Sequence, residues 1–302
     1  MTGNHIDTSF SRNAFMNSKY FSTKHAHYFK IYDQLSTKIK SRGSTSPTIV
    51  EIGILHGGSL FMWREIFGPS ARVIGVDLNP EATKWRDHGF DIFIGNQSDS
   101  NFWDKFYREV GLIDLLIDDG GHTNRQQVIT TTCALKNMKP GGIIFIEDTN
   151  TSFLKEFGNP SKFSFINFSK KLVDTLHEID EPSGQHARIG SKIEKISFFD
   201  SVVLLEMKEA TLVGSAQIDN GGIRDAASDF RYADLGNLIS LIKLAKQWSI
   251  RLAESTSNKG FRNFVTKAML QSISLTCSLA FNFLTVARMK NENRLLRRYW
   301  RI

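Results

Sequence analysis

Two short apolar runs, Leu112 to Ile117 and Ile143 to Ile146, each end on acidic residues. Asp118-Asp119-Gly120-Gly121-His122 follows the first, and Glu147-Asp148 follows the second. Runs this apolar, without a strict alternation, predict strands covered on both faces, as in a parallel sheet sandwiched between helices. Such a sheet presents whatever follows its strands to a crevice at their carboxyl ends. Several carboxylates and one imidazole are therefore expected side by side at one sheet edge. Oxygen donors gathered in that way favour a hard divalent cation such as magnesium.

Strand and helix signals alternate from Thr48 to Leu205. Strands are expected at Thr48 to Ile54, Arg72 to Leu78, Phe90 to Ile94, Ile113 to Ile117 and Ile143 to Ile146. Between them, helices are expected from Gly57 to Phe67, from Pro80 with Asn79 as its cap, from Ser98 to Val110 and from Asn124 to Met138. This is a βαβ series, the doubly wound α/β class. A further helix is expected over Ser161 to Ile179. Two strand-like runs, Ile193 to Asp200 and Ser201 to Met207, then read as an antiparallel hairpin closing the sheet. A mostly parallel, seven-stranded, Rossmann-like sheet finished by a hairpin resembles the plan of class I methyltransferases rather than that of dehydrogenases. The organisation expected is an N-terminal helical cap (1–45), the α/β domain (46–210), a linker and helix (211–258) and a basic amphipathic helical tail (259–302).

Val50-Glu51-Ile52-Gly53-Ile54-Leu55-His56-Gly57-Gly58-Ser59 is a glycine-rich turn from strand to helix. Glycines let the backbone approach a ligand closely, and a helix N-terminus attracts negative charge. The spacing is not GxGxxG, which argues against a dinucleotide. Glu51 fits the acidic first motif of methyltransferases that use S-adenosylmethionine. Asp77, at the end of the second strand, can accept hydrogen bonds from both ribose hydroxyls, and Asn79 follows it. Gln97 and Ser98 follow the third strand, where an adenine would lie. Glu51, Gly53, Gly57, Ser59, Asp77, Asn79, Gln97, Ser98 and Asp118 are thus the candidate cofactor residues. Singly, each also reads as a turn, a cap or a strand end; their order on three successive strands favours an adenosine-bearing cofactor.

Asp119, Glu147 and Asp148 are the candidate metal ligands. A metal there would bind a substrate hydroxyl, lower its pKa and turn it toward a sulfonium methyl. His122, three residues after Asp119, is the candidate base, because imidazole exchanges protons near neutral pH. Asp119 and His122 are then the catalytic pair. If strand geometry persists, Asp118 points away from Asp119, toward the cofactor or the fold. The plainer alternative is a set of strand-end caps and turns. Carboxylates do not cluster at a buried crevice without a counter-charge, which favours the metal.

Six segments occur in order: Phe29-Lys30-Ile31-Tyr32, Val50 to Gly53, Gly57-Gly58-Ser59-Leu60-Phe61-Met62-Trp63, Gly75-Val76-Asp77-Leu78-Asn79-Pro80, Ile117 to His122, and Lys139-Pro140-Gly141-Gly142 with Glu147-Asp148. Over residues 20 to 207 the chain resembles the macrocin, mycinamicin and rhamnosyl-tetracenomycin sugar O-methyltransferases, with the related cephalosporin hydroxylase-type proteins. The resemblance implies S-adenosylmethionine as donor, magnesium held by Asp119, Glu147 and Asp148, and His122 as base. Two departures stand out. The family often has Ser-His where this chain has Gly121-His122, and an acidic residue before the lysine where this chain has Thr23-Lys24.

The expected function is metal-assisted O-methylation of a sugar or glycan hydroxyl. The alternatives are a phenolic or β-lactam-type acceptor, or a non-catalytic S-adenosylmethionine-binding scaffold. The two cysteines, Cys133 and Cys277, form no motif, and Met1 to Ser18 lacks an apolar signal core. Both fit a cytoplasmic protein. The net charge of +7 is uneven. Nine basic residues against Glu292 alone give residues 255–302 a charge of +8, so the remainder carries −1. Ala268 to Ala287 has no charged residue, but Gln271, Ser274, Ser278, Asn282 and Thr285 recur at helical spacing. That pattern favours a helix lying on a membrane or a partner over one that spans a bilayer; a packing helix is the plain alternative. A nucleic-acid partner is not expected, and a homo-oligomer is left open. Peripheral membrane contact would suit a lipid-linked sugar acceptor. Flotation with anionic vesicles checks this: the full chain should float and a chain ending near Ser257 should not, and equal behaviour refutes it.

Overall fold

The computed structural model describes residues 9–157, 161–177, 192–209 and 220–222, with Leu244 and Gln247 standing alone. The chain divides into two compact units, Met1–Ala216 and Gln217–Ile302. The expected tail at 259–302 and most of the expected linker and helix at 211–258 lie outside the described residues. Among the described residues no helix is long and apolar enough to cross a membrane.

The first unit opens with two helices, α1 (Phe10–Asn17) and α2 (Tyr28–Ser41). There follow β1 (Thr48–Ile52), α3 (Gly58–Phe67), β2 (Arg72–Asp77), a 3-10 helix over Pro80–His88, and β3 (Asp91–Ile94). Next come α4 (Ser100–Val110), β4 (Ile113–Asp118), α5 (Asn124–Asn137), β5 (Met138–Ile146), α6 (Phe165–His177), β6 (Ile193–Phe199) and β7 (Val202–Met207). The seven strands form one sheet in the order β3-β2-β1-β4-β5-β7-β6. β1 to β5 pair in parallel, and β7 runs antiparallel to both β5 and β6. The doubly wound sheet closed by a hairpin is the architecture read from the sequence.

Local chemistry sets the boundaries. The helix after Asn79 is a 3-10 helix rather than a full α-helix; the Asn79 side chain accepts from the Glu81 N–H at 3.0 Å. α4 begins at Ser100 because Asp99 caps it, accepting from the Asn101 N–H at 2.9 Å. A capping box of Thr123 and Gln126 starts α5, reciprocally satisfying two backbone donors. α6 starts four residues later than expected, at Phe165.

Side chains on a strand alternate between faces, and here they divide into two apolar layers. Ile49, Leu115, Ile117, Ile143 and Phe145 pack with Tyr28, Tyr32, Leu60 and Trp63 of α2 and α3. Val50, Ile52, Leu116, Ile144 and Ile146 pack with Trp103, Phe106, Ala134 and Phe165 of α4, α5 and α6. Each large side chain so buried contributes roughly 1.5–3 kcal/mol. Asp114, the acid inside the apolar run of β4, is satisfied at the far end of the sheet. It accepts from Lys139 Nζ at 2.6 Å and the Thr48 N–H at 2.8 Å.

The carboxyl edge is held tightly. The ladder continues one step past the strands: the Asp119 N–H bonds Ile52 O at 3.1 Å, and the Glu147 N–H bonds Asp118 O at 3.0 Å. Gly53, Asp119 and Glu147 are therefore neighbours across three strand ends. Gly53 has φ +80°, and a Cβ there would lie 2.1 Å from the Asp119 carbonyl oxygen. Any side chain at position 53 would push the β1 and β4 turns apart.

Candidate active site

Odd and even positions decide where the acids go. Glu51 shares a face with Ile49, and Glu147 follows in step with Ile143 and Phe145, so both aim at the layer that holds α2 and α3. Asp118 shares the opposite face with Leu116. Its buried carboxylate accepts from Gln97 Nε2 at 3.0 and 3.1 Å and from the Gly120 N–H at 3.1 Å. Gln97 Oε1 in turn accepts from the Gly121 N–H at 3.1 Å. Asp118 and Gln97 thus brace the loop that carries Asp119 and His122.

On the other face, a single ammonium meets three carboxylates. Lys24 Nζ lies 2.7 Å from Asp119 Oδ2, 3.2 Å from Glu51 Oε1 and 3.2 Å from both oxygens of Glu147. Its side chain is 1% exposed. Tyr32 donates to Glu147 Oε1 at 2.6 Å, and Tyr28 donates to Asp148 Oδ1 at 2.7 Å. Tyr28 and Tyr32 are four residues apart on one side of α2, and Lys24 comes from the non-helical segment that precedes it.

Burial would lower the Lys24 pKa, but Glu147, Tyr32, Asp119 and Glu51 outweigh it and hold the ammonium well above its usual value. Lys24 is a fixed charge. One cation cannot compensate three acids: burial raises Glu147 and Glu51, with Lys24 offsetting only part of it. One oxygen of Glu51 is buried without a hydrogen-bond partner. The corner keeps a surplus of negative charge.

Asp119, His122 and Asp148 have ligand atoms within 4.8 Å of one another, close enough to share a metal ion. His122 Nε2 is 3.6 Å from Asp148 Oδ2 and 3.9 Å from Asp119 Oδ1. Both His122 (φ 58°) and Asp148 (φ 51°) adopt the left-handed conformation. Side chains rarely pay that cost except where the surroundings fix them, commonly at functional sites. Thr151 Oγ1 lies 2.8 Å from the carbonyl oxygens of both residues, which share its one hydroxyl proton. Glu147 stands apart from this trio. Expected among the metal ligands, its carboxylate is taken by Lys24 and Tyr32.

A pocket of about 600 Å³ opens along the same edge. It is lined by Gly53, Ser59, Asp77, Gln97, Asp119, His122, Glu147 and Asp148 among the expected residues, and by Lys24, His25 and Tyr28 from the N-terminal segment. Asp77 Oδ2 accepts from the Leu55 N–H at 3.1 Å and Oδ1 from the Asn79 N–H at 2.8 Å, leaving each oxygen a further lone pair. Glu51, Gly57, Asn79, Ser98 and Asp118 do not line the pocket. Glu51 binds Lys24, Gly57 packs on Trp85, Asn79 caps the 3-10 helix and the Ser98 N–H bonds Asn96. Lys24, Tyr28 and Tyr32 were not read as site residues from sequence. Their spacing of four was visible, but it equally describes the buried side of an amphipathic helix.

Residues 50–149 match the family model described as a methyltransferase domain. The chain is 30% identical over 166 residues to the 8-demethyl-8-alpha-L-rhamnosyl tetracenomycin-C 2'-O-methyltransferase of Streptomyces olivaceus, covering 52% of this chain and 43% of that protein. It is 26% identical over 224 residues to the mycinamicin VI 2''-O-methyltransferase of Micromonospora griseorubida, covering 69% and 53%. The chain thus spans about half the length of the curated relatives it matches. The crystal structure of the MycE methyltransferase in complex with Mg and SAH superposes with a TM-score of 0.58 at 22% identity, over 76% of this chain and 59% of that one. The fold is that of the class I methyltransferases, and the resemblance read from the sequence is borne out.

The charge arrangement makes a direct prediction. Lys24→Met should cost about 3–5 kcal/mol at pH 7.5, as expected when a buried charge loses its partner. Without Lys24 the folded-state pKa values of Glu51 and Glu147 rise further above their unfolded values. The folded state then binds more protons than the unfolded one, so the variant loses stability as pH rises above about 4.5. Denaturant titrations from pH 5 to 8 should show the deficit growing with pH; a deficit that is flat or absent contradicts the assignment.

Proposed function

We propose that a chain with this fold, and with sugar O-methyltransferases as its relatives, transfers a methyl group from S-adenosylmethionine to a sugar hydroxyl, with a divalent cation beside the reacting oxygen. The observation that carries the reading is the convergence of Asp119, His122 and Asp148 in the lining of a pocket that Asp77 also lines. A pocket of this volume matches a small-molecule cofactor. Asp77 suits the ribose hydroxyls, with Leu55 and Leu78 beside the nucleoside.

The residues fit a divalent cation: two carboxylates converge in a corner with surplus negative charge. Asp119 and Asp148 would hold it, and Glu147 would join them only by giving up Lys24. When bound, the cation supplies Lewis acidity that lowers the pKa of a coordinated hydroxyl. His122 takes the hydroxyl proton at Nε2, the nitrogen that faces both aspartates. S-adenosylmethionine, when bound, would supply the methyl carbon, whose bond to sulfur would break as the bond to the acceptor oxygen forms, leaving a thioether. The transfer is an in-line displacement, so holding donor and acceptor in position matters as much as moving the proton. The relatives named for rhamnosyl tetracenomycin and mycinamicin support a glycosylated small molecule as acceptor.

Methyl transfer to a panel of deoxysugar glycosides, with and without chelator, tests the reading. Wild-type turnover should be lost with chelator and restored by magnesium. His122→Ala should lower kcat about 100-fold or more, the usual contribution of a general base, while binding of S-adenosylhomocysteine stays unchanged. Near-full turnover in that variant would eliminate His122 as the base, and the absence of any turnover in the wild type would sink the enzyme reading.

A further inference from the structure

Asp148, like His122, is a member of the cation corner whose backbone is left-handed, and it is the one of the two that the proposed cation would take as a carboxylate ligand. Its left-handed φ of 51° places it at a turn immediately after Glu147, where nothing in the β5 ladder fixes it. An L side chain in that conformation costs about 1 kcal/mol or more and persists only where its surroundings over-determine it.

Thr151 holds the Asp148 carbonyl, and the Asp148 side chain is fixed from the N-terminal segment, by Tyr28 of α2 and by His25 just before it, whose Nε2 lies 3.6 Å from Asp148 Oδ1. The Tyr28 hydroxyl donates to Asp148 Oδ1 at 2.7 Å, and the Asp148 N–H donates back to that hydroxyl at 3.3 Å. One phenol oxygen thus grips both the backbone and the side chain of the same residue. The grip leaves Oδ2 as the free oxygen, and Oδ2 is the one that faces His122 Nε2 at 3.6 Å. Tyr28 is well placed to act as an anchor. The residue is 1% exposed, with its ring in edge contact with Tyr32, His27 and Phe145.

From this geometry we infer that Tyr28 is a positioning residue for the divalent cation: it selects the Asp148 conformation that presents Oδ2 to the ion. Tyr32 has a parallel task one turn along, where it holds Glu147 Oε1. It serves the carboxylate already claimed by Lys24, so the two tyrosines divide the acidic pair between them. Tyr28 governs the acid left open to a ligand, and Tyr32 the acid that is closed.

The inference rests on the proposed function only in taking a cation to occupy this corner. The test is Mn²⁺ binding to the full chain without donor or acceptor, followed by electron paramagnetic resonance of free Mn²⁺. Tyr28→Phe removes one oxygen and keeps the ring. It should weaken Mn²⁺ binding about tenfold, leave S-adenosylhomocysteine affinity within twofold, and leave the melting temperature within a few degrees. In an Asp148→Asn background the same substitution should change Mn²⁺ affinity less than twofold, because its target is already altered. Unchanged Mn²⁺ affinity in Tyr28→Phe overturns the inference. So does an equal loss in the Asp148→Asn background, an equal loss of S-adenosylhomocysteine binding, or a Tyr28→Phe chain that fails to fold, since each places the effect elsewhere than at Asp148. Failure of the wild-type chain to bind Mn²⁺ counts against the cation itself and thus against the proposed function.

Discussion

One buried ammonium among three carboxylates is the constraint on which this edge of the protein depends. Glu51, Asp119 and Glu147 come from three adjacent strand ends and face the same layer. Unpaired, they would repel one another and resist burial, and the turns carrying them would splay. Lys24 makes their convergence tolerable. Because it balances only one charge of three, it also leaves the corner with a demand for cations. The same interaction supports the fold and prepares the site.

The sheet makes that convergence possible by register alone. β1, β4 and β5 are parallel neighbours, so their carboxyl ends arrive together. Glycine at position 53 lets the first two turns come within contact of each other. Alternation then separates Asp118 from Asp119, sending the first to Gln97 as a brace and the second to the corner. α2 covers the result. With its Tyr28 and Tyr32 and with Lys24 from the segment before it, the N-terminal part of the chain is one wall of the pocket as well as a cap on the core.

Much of this was legible in the sequence, for definite reasons. Strand runs buried on both faces have a composition that identifies them, and turn glycines and capping residues mark their ends. That sufficed to place Asp77, Asp119, His122 and the Glu147-Asp148 pair at one edge. The allocation of the acids was not legible. Lys24 reaches partners 27, 95 and 123 residues away, and nothing local in Thr23-Lys24-His25 signals such a role. The sequence therefore treated Glu147 and Asp148 as equals. The structure distinguishes them: Glu147 continues the strand and points to Lys24 and Tyr32, whereas Asp148 turns left-handed and points to His122.

The central claim is that Asp119 and Asp148 form a cation corner beside the methyl donor. Anomalous scattering from a crystal of the protein grown with Mn²⁺ and S-adenosylhomocysteine tests it most directly. A manganese peak is predicted roughly 2–2.5 Å from carboxylate oxygens of both Asp119 and Asp148, with the thioether sulfur of the nucleoside at the same end of the pocket. A pocket holding the nucleoside with no peak at that corner, or a peak ligated by neither aspartate, would contradict it.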